Sequence, residues 1–213
     1  MRSVLELLAA SVKVLGRARV AVVLLAMLAG TCGAALADPI GPVGLTAIRG
    51  GLNVTGVELW TVFQPYKGLE AYRTLDTVEV ELVFRPPDAS VLQYLGDPSI
   101  SLGAHISTTG RASLAHLGLT WGTHLFDTPF FIEGTLGGAV TNSTLVASKP
   151  PERSVGCPLL FYFAADAGYQ FDQHWSIMGS AYHASHANVC NFFNKNAHND
   201  GLNGVGLKIG YNF

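Results

Sequence analysis

His183 and Ser185 stand two residues apart in a stretch where apolar residues alternate with small or polar ones. In an extended chain that spacing sends both side chains out of the same face, so an imidazole can reach a hydroxyl. The chemistry open to such a pair is acyl transfer. A serine hydroxyl is a weak nucleophile until a neighbouring imidazole accepts its proton, and a third group is needed to fix the imidazole tautomer. The same face carries Trp175, Ile177 and Ala181. If that face meets lipid, a histidine and a serine at its upper end are out of place, because exposed polar groups in hydrocarbon cost free energy and are retained chiefly for a purpose. The other reading puts the pair beyond the hydrocarbon, at the interface, where polarity costs little.

The remaining candidate ligands point to no cofactor and no metal. His105 and His116 fall on faces shared with small and polar residues, where a hydrogen-bonded interior network is the expected role. His183, His186, Cys190 and His198 form a loose cluster whose spacing fits no standard zinc pattern. Cys157 and Cys190 are the two cysteines left once the first 37 residues are set aside, and in an oxidising compartment they could form one disulfide.

The elements that must position the His-x-Ser pair follow from a period of two. Eight candidate strands are predicted, at about 43–54, 75–85, 99–108, 112–125, 129–141, 158–170, 174–186 and 201–213. Their lengths suit a tilted membrane span. In the last of them Val205, Leu207, Ile209, Tyr211 and Phe213 share one face, and Gly204, Gly206, Lys208, Gly210 and Asn212 the other. Ile100, Leu102, Ala104 and Ile106 likewise oppose Ser99, Ser101, Gly103 and His105, while Glu79, Glu81, Glu133 and Thr135 fall on inward positions. Apolar residues outside with polar and small residues inside is the membrane arrangement, and closure satisfies every strand edge, as lipid demands. The expected fold is therefore all-β: an eight-stranded antiparallel transmembrane β-barrel of the outer membrane. A secreted β-sandwich, the competing fold, would need a polar exterior, and only 13% of residues are charged.

Connections alternate in length. Residues 126–129 and 171–174 are tight turns, whereas 55–74, 142–157 and 187–200 are long, as expected of short periplasmic turns and long outer loops. Residues 86–98 break this pattern, being long on the periplasmic side. Both Cys157 and Cys190 then fall near the outer rim, where a disulfide would pin the loop beside the His-x-Ser pair.

The front of the chain reads as a cleavable secretory signal over residues 1–37. It has a basic stretch with Arg2, Lys13, Arg17 and Arg19, an apolar run from Val20 to Leu28, and small residues ending at Ala35-Leu36-Ala37. Cys32 invites a lipoprotein reading, but Thr31 before it is bulkier than the residue such processing wants. Residues 38–213 then form a single barrel domain. A formal charge of −2 with no clustered Lys and Arg excludes nucleic acid as a partner.

With those residues in view, the stretch His183-Ala184-Ser185, through Asn199-Asp200-Gly201-Leu202-Asn203, to the terminal Gly206-Leu207-Lys208-Ile209-Gly210-Tyr211-Asn212-Phe213 resembles the lipid A 3-O-deacylase family. Ile48-Arg49-Gly50-Gly51, the run Val78 to Pro87 and Gly118-Leu119-Thr120-Trp121 are similar to other family segments. The resemblance implies an outer-membrane ester hydrolase that removes the 3-O-linked acyl chain of lipid A with a Ser-His-Glu triad on the barrel's outer surface. It implies Ser185 as nucleophile, His183 as general base and Asn199 as an oxyanion donor. The family's Glu falls on Asn203, a departure, with Asp200 as the alternative acid. A second departure is His186, which stands where the family has Asn, with Asn188 as a substitute donor.

Lipid A or lipopolysaccharide is the implied substrate and outer-membrane lipids the surroundings; a homodimer is left open. Two rivals stay beside this reading. One is a catalytically impaired family member serving as a structural or surface-interaction barrel, suggested by Asn203 and His186. The other is a small adhesin or lipid-binding barrel acting through loops 55–74 and 142–157.

Overall fold

The computed structural model describes residues 44–56, 75–86, 90–145, 155–187, 189–192 and 201–213. Eight antiparallel strands close on themselves in chain order: β1 (Leu45–Thr55), β2 (Thr77–Phe84), β3 (Ser99–Ser107), β4 (Leu114–His124), β5 (Phe130–Thr141), β6 (Leu159–Gln170), β7 (Trp175–Ser185) and β8 (Leu202–Asn212). β8 pairs back onto β1, with Leu52 opposite Leu207, so the described sheet has no free edge. Each strand lies within two residues of its expected limits, because the alternation that marks it is a local property of the chain. Residues 1–37 and most of the long loops lie outside the described residues.

The two faces separate as the pattern requires. Leu102, Leu117, Leu136, Phe163, Leu207 and Ile209 are exposed on the outside, whereas Ser101, His105, His116, Thr120, Thr135 and Lys208 are buried inside. At the short-turn end, Phe130 with Tyr169, and Trp175, Tyr211 and Phe213 in succession, make edge-on aromatic contacts. Amphipathic rings at that level mark a membrane–water interface.

The connection 86–98 was expected to be long; among its described residues is a short helix, α1 (Ser90–Tyr94). The carbonyl of Leu95 just after it accepts a 2.8 Å hydrogen bond from Trp121 Nε1, which docks the segment on the rim. The tight turn after β4 has Phe126 and Asp127 both at positive φ, 52° and 55°, with the Thr128 N–H donating to the Leu125 carbonyl at 2.9 Å. Two left-handed central residues match the twist of the flanking strands.

The barrel interior is filled rather than open. Towards the long-loop end His116 stacks on Tyr162 and His105 packs at a tilt against Tyr182, each at 4.1 Å between ring centroids. A Cβ on Gly204 would stand 2.2 Å from the Tyr182 ring, and one on Gly103 equally close to the His116 ring, so the interior rings need glycine opposite them. Lower down, Arg49 makes a bidentate pair with Glu133 at 2.6 and 2.9 Å. Lys208 Nζ donates to Asp166 at 3.0 Å and lies 3.4 Å from both Glu79 and Glu81. Charges this deeply buried persist only where they are paired.

Candidate active site

β7 and β8 run side by side with His183 opposite Asn203 in register. Both belong to the outward parity of their strands, as does Ser185 at the very end of β7. The His183 Nδ1–H donates to Asn203 Oδ1 at 2.5 Å, and Nε2 lies 2.9 Å from Ser185 Oγ. Because Oδ1 can only accept, the ring proton sits on Nδ1 and Nε2 is left to accept from the serine hydroxyl. A hydroxyl, an imidazole and an orienting group thus form one chain of hydrogen bonds on the outside of the barrel wall.

Several local features hold this chain in place. Gly201 enters β8 at φ +65°, and a Cβ there would come within 3.1 Å of His183 Cε1, so the residue at the mouth of the strand is constrained both in backbone and in bulk. On the other side, Phe161 and Phe163 of β6 pair with Ser185 and His183 respectively. Both rings remain about half exposed and wall the site with apolar surface. Beyond Ser185, Ala187 turns the chain at φ 45° into a single 3-10 turn, Val189–Phe192. Cys190 in that turn is disulfide-bonded to Cys157 ahead of β6, with Cα atoms 6.3 Å apart. The bridge ties the segments flanking the site to each other, where the sequence had left the pairing open.

Ser185 and Asn203 are each only 9% exposed despite facing outward. Further down the same face an apolar groove with a cavity volume of about 460 Å³ runs past Ile132, Ala167, Gly179, Ile177 and Leu207. Ala181 places a small residue between it and His183.

Of the residues expected at the site, Ser185, His183 and Asn203 are brought together. Asp200, Asn199 and Asn188 lie outside the described residues. His186 is buried and of inward parity. The loose cluster of His183, His186, Cys190 and His198 does not survive as a ligand set: Cys190 is consumed by the disulfide, and His198 lies outside the described residues. Gly201 entered the sequence reading only as part of the Asn199–Asn203 stretch, and Phe161 and Phe163 went unremarked. An Asp-Gly dipeptide ahead of a strand was the available signal for the first, while the phenylalanines join the site through inter-strand register alone.

No curated protein sequence matches this chain. Among solved structures, the barrel is similar to the outer-membrane enzyme PagL, at 17% identity over 77% of this chain and 97% of that one, with a TM-score of 0.51. It is also similar to the N-terminal β-barrel domain of Pseudomonas aeruginosa OprF, at 12% identity over 79% and 98% of the two chains with a TM-score of 0.47. Ail of Yersinia pestis gives 13% identity over 80% and 99%, with a TM-score of 0.41. At 17% identity the likeness to PagL is one of fold, a barrel of the outer membrane. The sequence itself goes further, because the family model described as lipid A 3-O-deacylase (PagL) matches residues 83–212, which take in β3 to β8 and all three members of the hydrogen-bonded chain. A match over more than half of the sequence, on a closed eight-stranded barrel, places this chain in the lipid A 3-O-deacylase (PagL) family of outer-membrane proteins.

Proposed function

We propose that this protein is an ester hydrolase that removes the 3-O-linked acyl chain of lipid A, with Ser185 as nucleophile and His183 as general base. The observation that carries the reading is the Ser185–His183–Asn203 hydrogen-bond chain on the outward face, at 2.9 and 2.5 Å. Residues 1–37 act as the secretory signal that delivers residues 38–213 to the outer membrane.

In the first half-reaction Ser185 Oγ attacks the ester carbonyl carbon while its proton passes to His183 Nε2. The tetrahedral intermediate collapses, the C–O bond to the 3-position breaks, and the leaving oxygen takes the proton back from the imidazolium. In the second, His183 takes a proton from water, the hydroxide oxygen attacks the acyl-serine, and a hydroxy fatty acid departs as Ser185 is reprotonated. Asn199 is the proposed donor to the oxyanion. The substrate needs no entry tunnel: the scissile ester lies in the same leaflet as the site, and the groove past Ala167, Gly179 and Leu207 offers the departing chain an apolar bed.

Asn203 in place of the family's acid sets the expected pace. Its carbonyl holds the Nδ1–H tautomer, so Nε2 is correctly free as base, but an amide cannot offset the imidazolium charge that develops during proton transfer. Incubating the purified, folded barrel with lipopolysaccharide and measuring lipid A by mass spectrometry tests the reading. The expected result is a mass loss of one 3-O-acyl group. Intact lipid A after prolonged incubation with folded protein would overturn it.

A further inference from the structure

We propose that the barrel lumen holds a second site, on the opposite side of the wall from Ser185: a divalent transition-metal site, of the kind zinc occupies, formed by Glu79, His105 and His116. The three residues come from consecutive strands β2, β3 and β4, with Glu79 opposite His105 in register. One donor atom from each lies within 4.8 Å of the other two. All three side chains are 1–2% exposed. Two imidazoles and one carboxylate are an established zinc donor set, which leaves one coordination position for water.

The hydrogen bonding points the same way. Among the described residues neither ring nitrogen of His116 has a hydrogen-bond partner, and Nδ1 of His105 has none. A buried imidazole with both nitrogens unsatisfied is costly, and the expectation of an ordinary interior network is met by His105 but not by His116. His105 Nε2 lies 3.1 Å from the Tyr162 hydroxyl, while Nδ1 faces Glu79 Oε2 at 3.8 Å. That orientation presents Nδ1 as the ligand and ties back the other nitrogen, the arrangement that positions metal-bound histidines. Asn53 Nδ2 donates to the same Glu79 oxygen at 2.8 Å and steadies the carboxylate.

Charge supplies an independent reason. Among the described lumen residues, Glu79, Glu81, Glu133 and Asp166 face only Arg49 and Lys208, which leaves two carboxylates uncompensated. A divalent cation would balance them. Lys208 competes for Glu79 through Oε1, but it already has Asp166 and Glu81, so Oε2 remains for the metal. Metal–donor bonds of about 2.0–2.1 Å bring donors within roughly 3.4 Å of one another. Closing the present spacing therefore takes side-chain shifts of about an ångström, with no change of strand register.

The experiment uses the mature barrel, folded in detergent, washed with chelator and titrated with zinc. One zinc per barrel is expected, and His116→Gln and Glu79→Gln, each checked for folding by heat-modifiable gel migration, should weaken binding by about 100-fold or more. Folded wild-type protein that binds no zinc, or variants that bind it as tightly as wild type, would overturn the proposal. Should a variant fail to fold, zinc-edge X-ray absorption on the loaded wild type decides: two imidazole nitrogens and a carboxylate support the site, and any other ligand set rejects it. Deacylase activity is not the readout, so failure here leaves the reading of Ser185 untouched.

Discussion

Asn203 and Lys208 lie five residues apart on β8 and face opposite ways, one joining the outer hydrogen-bond chain and the other the ion network of the lumen. Both regions obey the same rule, that polar groups removed from water must find partners. They obey it differently. Lys208 reaches across the barrel to Asp166, 42 residues away, and to Glu81, 127 away, so lumen pairing joins distant strands and adds to the stability of the closed barrel. His183, Ser185 and Asn203 are satisfied by neighbours on one pair of strands, and the chain ends at the Ser185 hydroxyl on the outward face. The lumen sets charge against charge, with two carboxylates in excess among the described residues. The outer chain joins a hydroxyl, an imidazole and an amide and holds no ion pair among the described residues.

Substitutions on the two faces should separate accordingly. The largest effect is expected from Ser185→Ala, which removes the nucleophile and should lower turnover by about 10⁶, as loss of a triad serine does elsewhere. Heat-modifiable folding should be unchanged, and lipid A mass spectrometry reads the loss. Next comes Asn203→Asp, which keeps the shape of the orienting group and adds the missing charge. Turnover should rise, with a ceiling of about 10⁴, the cost of the opposite exchange in a serine protease. A drop in turnover would show that the amide is itself the working partner.

In the lumen, Lys208→Met leaves Glu79, Glu81 and Asp166 crowded without their cation. A buried pair broken on one side costs about 3–5 kcal/mol, to be read as a lower urea midpoint for unfolding from lipid vesicles, with little change in turnover of the protein that remains folded. The smallest effect belongs to neither region. In the short turn before β7, backbone N–H groups of Trp175 and His174 both donate to the Asp172 carboxylate at 2.7 Å, and these hold its pKa below the ordinary aspartate value. A depressed folded pKa means the contribution is present above the unfolded value and is lost as pH falls through the folded one. Asp172→Asn should therefore lower the unfolding midpoint slightly at neutral pH, and the difference should vanish in acid.

The strands and their faces were legible because alternation is written into each segment without reference to any other. From Val205, Leu207 and Ile209 opposed to Gly206, Lys208 and Gly210, a reader knows which side meets lipid. The His-x-Ser pair was legible for the same reason, since two residues on one strand share a face whatever surrounds them. The helix at Ser90–Tyr94 was not, being a single short turn stabilised by docking against Trp121.

What the sequence determined alone is thus everything that depends on period: eight spans, an apolar exterior, a polar interior, and an imidazole beside a hydroxyl. Tertiary structure decided everything that depends on which strand lies beside which. Register sets Asn203 against His183, puts Phe161 and Phe163 around the pair, joins Cys157 to Cys190, and gathers Glu79, His105 and His116 from three strands. The physical reason is that a side chain's direction follows from its own backbone, whereas its partners follow from closure of the whole barrel.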